Sequence, residues 1–198
     1  MGQILKSVLG ILMPVNSAIL RFGRTVAWIA LGLMVFVILL QVFCRYVLNS
    51  ALPWPDEAAR FLMLWMTGLI APSAYRWGGF VAIDMFPQSL ARRANAVLML
   101  VLMFISTLVL LMAIKFGWAH TMGFGGNFDS SSLKIPLDWF GGESIRVKLR
   151  YMYGSLLLGM ILLLVINFEL ILRALLVMME PDVELPDDGA SAVMARAD

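Results

Sequence analysis

The densest group of chemically capable side chains in this chain is Trp54, Glu57 and Arg60. Glu57 and Arg60 stand three residues apart, a spacing that puts a carboxylate and a guanidinium on one helical face. Arg45 lies a short turn earlier and is placed to reach the same group. One acid beside arginines is not a hydrolytic pair, because no second acid and no nucleophile with its base accompanies it. The pattern fits a charged junction that orients a helix or docks a partner, or equally an interfacial salt bridge with a tryptophan anchor. Other reactive side chains are scarce. Cys44 is the only cysteine and His120 the only histidine. An intrachain disulfide, a paired-cysteine zinc site and a haem held by two histidines of this chain are therefore excluded. Ser106 and Thr107 are the polar pair within an apolar run, and their hydroxyls are expected to bond the preceding turn or a neighbouring helix.

These residues sit at the edges of four apolar runs, 25–44, 61–75, 94–114 and 151–168, none of which has an ionisable side chain at its centre. The chain is 61% hydrophobic and 14% charged, against about 45–50% and about 25% for a soluble domain. About 20 apolar residues cross a bilayer core as a helix. Lipid cannot hydrogen-bond an open backbone, and the runs lack the short alternation of a membrane barrel. The expected fold is an all-α membrane protein, with four transmembrane helices preceded by an N-terminal amphipathic interfacial helix. The interfacial helix is expected over 3–20, where Gln3, Lys6, Ser7, Gly10, Pro14 and Ser17 make one polar stripe. A cleaved signal peptide is the rival for this segment; Gly10 interrupts its apolar part and no clear small-residue cleavage site follows.

The spans are expected at 25–45, 56–76, 94–115 and 150–170, the last with an extension to 179. They form one domain, 1–179. Pro55, Asp56 and Glu57 make a good helix start, and Glu169 with Arg173 sits at a favourable i, i+4 spacing in the extension. Residues 180–198 hold six acids and one arginine and read as an acidic, disordered tail. The 116–149 connection is longer than a usual bundle loop of about 2–8 residues. Basic residues divide almost evenly between the two sides. Lys6, Arg21 and Arg24, which precede the first span with no acid, favour a cytoplasmic N-terminus and, with an even number of spans, a cytoplasmic C-terminus. No basic tract interleaved with aromatics suggests nucleic acid.

The stretch CRYVLNSALPWPDEAARFLMLWMTGLIAPSAYRWGGFVAIDMF, residues 44–86, resembles the small, DctQ-like membrane subunit of tripartite ATP-independent periplasmic (TRAP) transporters. The matching positions are Arg45, Trp54, Glu57, Arg60, Trp65, Arg76, Gly78, Gly79 and Asp84; Ser130–Pro136 with Trp139 is a later match. Phe80 departs from the pattern, standing where the family is expected to have a histidine. The resemblance implies a non-catalytic permease subunit of a sodium-coupled system for organic acid uptake in the bacterial inner membrane. It implies a large membrane subunit that holds the sodium and substrate sites, and a periplasmic substrate-binding protein. This chain would then be a scaffold with membrane lipid around it, no cofactor of its own, and Arg45, Trp54, Glu57, Arg60, Trp65, Arg76 and Asp84 as structural or partner contacts. An independent four-span exporter or membrane enzyme, and an anchor for an unrelated complex, are the other readings open to the sequence.

Overall fold

A computed structural model describes residues 2–50, 52–77, 92–135 and 145–179. Its elements are α1 (Gly2–Tyr46), α2 (Pro55–Arg76), α3 (Arg92–Met122), a single 3₁₀ turn (Phe124–Asn127), β1 (Asp129–Ile135), β2 (Ile145–Lys148) and α4 (Arg150–Met179). Asp84, Gly78, Gly79, Phe80, Pro136, Trp139 and the 180–198 tail lie outside the described residues.

The first difference from the sequence expectation is in α1. The segments expected as an interfacial helix and a first span are one helix of 45 residues. Its buried positions include Leu9, Met13, Asn16, Leu20, Gly23, Ala27, Ala30, Val37 and Cys44. They recur every three or four residues, and so keep one seam against the neighbouring helices through Arg21 and Arg24. Pro14 is exposed, on the opposite side from that seam. The carbonyl it leaves without an N–H partner is that of Gly10, on a face with open space.

Three helical stretches are long and apolar enough to cross a membrane: Leu5–Tyr46, Val97–Met122 and Arg150–Leu176. α2 is not among them, because Asp56, Glu57, Arg60 and Arg76 confine its apolar stretch to 61–75. At ~1.5 Å per residue, Leu5–Tyr46 is about twice as long as a hydrocarbon core is thick, so it tilts or projects.

The helices pack as α1 on α2, α2 on α4 and α4 on α3, with the first half of α1 also meeting α4. Between lipid-facing helices the hydrophobic effect supplies little attraction, so close backbone approach has to. Gly68 and Gly159 provide it. A Cβ on Gly68 would lie 2.5 Å from the Ser155 carbonyl oxygen, and one on Gly159 would lie 2.9 Å from the Gly68 Cα. At the other end Leu9, Met13 and Leu176 form an apolar cluster, with Leu5 and Leu172 packed against it.

The second difference is a two-stranded antiparallel sheet in the connection between α3 and α4, where an all-α chain was expected. Asp129 pairs with Lys148 and Ile135 with Ile145, and the register shifts in between. The Ser-rich segment has no alternating apolar pattern to announce a strand. What holds it is a partner on α2.

The crossing predicts opposite signs for two glycine substitutions. Gly68→Ala is expected to destabilise by about 1–3 kcal/mol through overpacking. Gly154→Ala, with nothing within 4 Å of its Cβ, is expected to be neutral or stabilising by up to about 1 kcal/mol. Thermal unfolding of the two variants in one detergent checks this; equal effects would contradict the close crossing.

Candidate functional site

Two carboxylates organise the polar interior, one at each end of α2. The first is Glu57, in the first turn of α2 and ahead of its apolar stretch. Its Oε2 accepts the backbone N–H groups of Ser132 at 2.7 Å and Leu133 at 3.1 Å. It also accepts the Ser131 hydroxyl at 3.3 Å and the Ser132 hydroxyl in a shorter contact. The Ser130 hydroxyl in turn accepts the Leu133 N–H at 2.9 Å. Ser132 and Leu133 fall where β1 shifts register against β2. Two N–H groups that the irregular ladder leaves over are thus satisfied by a side chain. Partial burial alone would raise the Glu57 pKa; the serine hydroxyls of 130–132 around it and the two backbone N–H groups outweigh it and lower the value to about 2.

The second carboxylate is Glu169, in α4 and fully buried. Its Oε1 accepts Arg76 Nε at 3.1 Å and Nη2 at 2.8 Å, and Arg173 Nη2 at 2.5 Å. Its Oε2 accepts Asn16 Nδ2 at 2.6 Å. Arg76 continues to α1, donating Nη1 to Ser17 Oγ at 2.7 Å and Nη2 to the Met13 carbonyl at 3.4 Å. The guanidinium is itself nearly inaccessible, its side chain 4% exposed. One residue along α2, Tyr75 donates to Asn167 Oδ1 at 2.5 Å. Asn167 Nδ2 donates to Thr107 Oγ1 at 2.8 Å and to the Met103 carbonyl at 3.0 Å. Glu169 therefore ties α1, α2 and α4, while Asn167 ties α2, α3 and α4.

The last span, expected at 150–170 with an extension to 179, takes in Glu169 just past the apolar run that ends at Phe168, and α4 runs through Glu169 to Met179 as one helix. The acid is inside but is held by two arginines and an asparagine, an arrangement that fixes a charge rather than moving one. Asn16, Asn167 and the burial of Glu169 were missed. The available signal was Asn16 at a seam position of α1, since a lone amide at such a site needs a polar partner across the interface.

The other expected site residues are not gathered into one cluster. Arg60 is exposed and forms no ion pair with Glu57 among the described residues. Arg45 is exposed at the end of α1, its guanidinium carbon 6.0 Å from the Tyr46 ring centroid. Trp54 is the N-cap residue of α2 and makes no side-chain cap bond. Trp65 packs near Phe61, with ring centroids 6.3 Å apart, and its indole nitrogen is buried without a hydrogen-bond partner. Arg76 is at the centre of the Glu169 network. Thr107 bonds both its own preceding turn and Asn167.

The family of tripartite ATP-independent periplasmic transporters, DctQ component, has a model that matches residues 34–177. No curated protein matches the chain.

The geometry separates real pairs from sequence neighbours. A double-mutant cycle on Arg76→Leu and Glu169→Leu is expected to give a coupling of about 2–3 kcal/mol, as for groups in one buried network. The same cycle on Glu57→Gln and Arg60→Gln is expected to stay within about 0.5 kcal/mol of zero. Comparable couplings would contradict the assignment. For the Glu57 latch, a lowered native pKa contributes stability that is complete above the ordinary value of 4.5 and declines as pH falls toward about 2. Protection of the Ser132 and Leu133 amides from hydrogen exchange, relative to the intrinsic rate at each pH, is expected to fall across that window in wild type and to be low at all pH values in Glu57→Ala.

Proposed function

Because the chain belongs to the family of DctQ components of TRAP transporters, we propose that this small permease subunit is the scaffold of a sodium-coupled organic acid uptake system. It braces a large membrane subunit that holds the substrate and sodium sites. A periplasmic binding protein delivers the substrate, and the Glu57-latched hairpin helps dock it. The observation that carries the scaffold reading is the use of the interior polar groups. Glu169, Arg76, Asn16, Asn167 and Thr107 are bonded helix to helix, which favours a fixed array over a moving transport site.

In this reading α2 is the fourth span, carried across by its neighbours although its own apolar stretch is short. Both termini face the cytoplasm of an inner-membrane protein. The N-terminal third of α1, with Val8, Ile11, Val15 and Ile19 exposed, continues the crossing helix and projects on the cytoplasmic side. Residues 1–179 make one membrane domain, followed by the acidic tail. Arg45, Trp54 and Arg60 lie at the periplasmic edge, where they are placed for a partner.

Deletion of this subunit is expected to abolish uptake in cells that retain the large subunit and the binding protein. Glu57→Ala is expected to lower co-purification with the large subunit, or uptake, at least about threefold, an effect of about 0.7 kcal/mol, while Asp129→Ala leaves both near wild type. Uptake that persists in a clean deletion, or equal wild-type behaviour of the two variants, would refute the essential-scaffold and latch claims respectively. Transport by the purified chain alone in liposomes would instead support an independent transporter.

A further inference from the structure

We propose that the end of the bundle at Arg76 carries a site for the phosphodiester headgroup of an anionic phospholipid, formed by Arg21 and Arg24 of α1 beside Trp77. Arg24 is oriented on two sides. Its Nη1 donates to Ser73 Oγ at 3.4 Å, and its guanidinium carbon stands 4.6 Å from the Trp77 ring centroid. A guanidinium has five N–H donors in a planar fork, so this contact leaves an edge of the fork unused. Arg21, one turn earlier on the same helix, is exposed. Arg21 and Arg76 both lie within electrostatic reach of Arg24.

The charge at this end is not balanced locally among the described residues. Among the described residues neither Arg21 nor Arg24 forms an ion pair, and Glu169 is already engaged by Arg76 and Arg173. Guanidinium groups held close together without a counter-charge repel, and an anion seated between them removes that cost. The planar fork matches the two free oxygens of a phosphodiester in a bidentate contact.

The surroundings indicate a lipid as the source of that phosphate. Phe22 is 71% exposed, Ile19 43% and Trp28 67%, all on α1 around the arginines. Trp77, at the C-cap of α2, is an aromatic of the kind found at headgroup level. A lipid phosphate is held at this depth by acyl chains that lie against these apolar side chains. A free phosphate ion would meet the same guanidinium groups but has no acyl chains to lie against those side chains.

The test is native mass spectrometry of the purified full chain in zwitterionic detergent, with phosphatidylglycerol and phosphatidylcholine added at equal concentration. Two arginines predict a preference of about 25-fold for the anionic lipid, about fivefold from each. Arg21→Gln is expected to lower the preference about fivefold, and the double variant Arg21→Gln with Arg24→Gln to bring it near parity. Lys115→Gln, an exposed lysine of α3, is expected to leave it unchanged. Millimolar inorganic phosphate is expected not to displace the lipid. Equal retention of the two lipids by wild type overturns the proposal, as does an unchanged preference in Arg21→Gln or displacement by phosphate. Arg21→Gln keeps the test decisive if the double variant does not fold, since Arg21 is exposed.

Discussion

A buried carboxylate on α4 sets the terms for the rest of this molecule. Glu169 has no access to water, and an isolated charge in such a place is too costly to persist unpaired. The charge must therefore be met at fixed positions by groups from other helices. Arg76 has to arrive from the end of α2, Asn16 from the middle of α1 and Arg173 from the next turn of α4. Each requirement constrains a helix in both rotation and register. Asn167, two residues earlier, extends the constraint to α3 through Thr107 and Met103. The arrangement is directional where lipid-facing packing is not, because Leu against Leu and Leu against an acyl chain are nearly equivalent.

With register set at that end, the glycine crossing follows. Gly68 and Gly159 meet backbone to backbone about two turns from Tyr75 and Asn167 along their helices. The short contact and the polar network act together. The network selects which faces oppose each other, and the missing side chains let those faces come close. At the far end of α2, Glu57 does for the hairpin what Glu169 does for the helices, accepting N–H groups that have no strand partner. Both ends of one helix thus terminate in a carboxylate-centred cluster, and the apolar exterior between them is free to face lipid or a partner subunit.

Much of this was legible residue by residue. The helices follow from the apolar runs, and the start of α2 from Pro55 with two acids behind it. Glu57 and the Ser130–Leu133 segment were each singled out, yet nothing in their separate positions said that they touch across more than 70 residues. Arg60 was the local candidate for pairing with Glu57, since spacing is all that a linear reading can use. A backbone pair of N–H groups competed for the carboxylate and took it. Arg21 and Arg24 looked like a boundary between two elements of α1, because polarity in sequence marks an edge. The seam from Leu9 to Cys44 continues past them, since a helix breaks only where its backbone bonds or its packing fail.

Sequence alone determined the solvent in which this chain folds and where its apolar helical runs lie. Run length and composition answer to the thickness and chemistry of a bilayer, which are the same for every protein in it. Sequence also determined family membership, through ordered motifs that survive without their geometry. The tertiary structure alone decided which polar side chains are partners and which merely stand near one another. It placed Glu169 with Asn16 and Arg76, Asn167 with Tyr75 and Thr107, and Glu57 with β1. The physical reason is that burial turns an unpaired polar atom from a small cost into a large one, and burial is a property of the packed helices rather than of any segment.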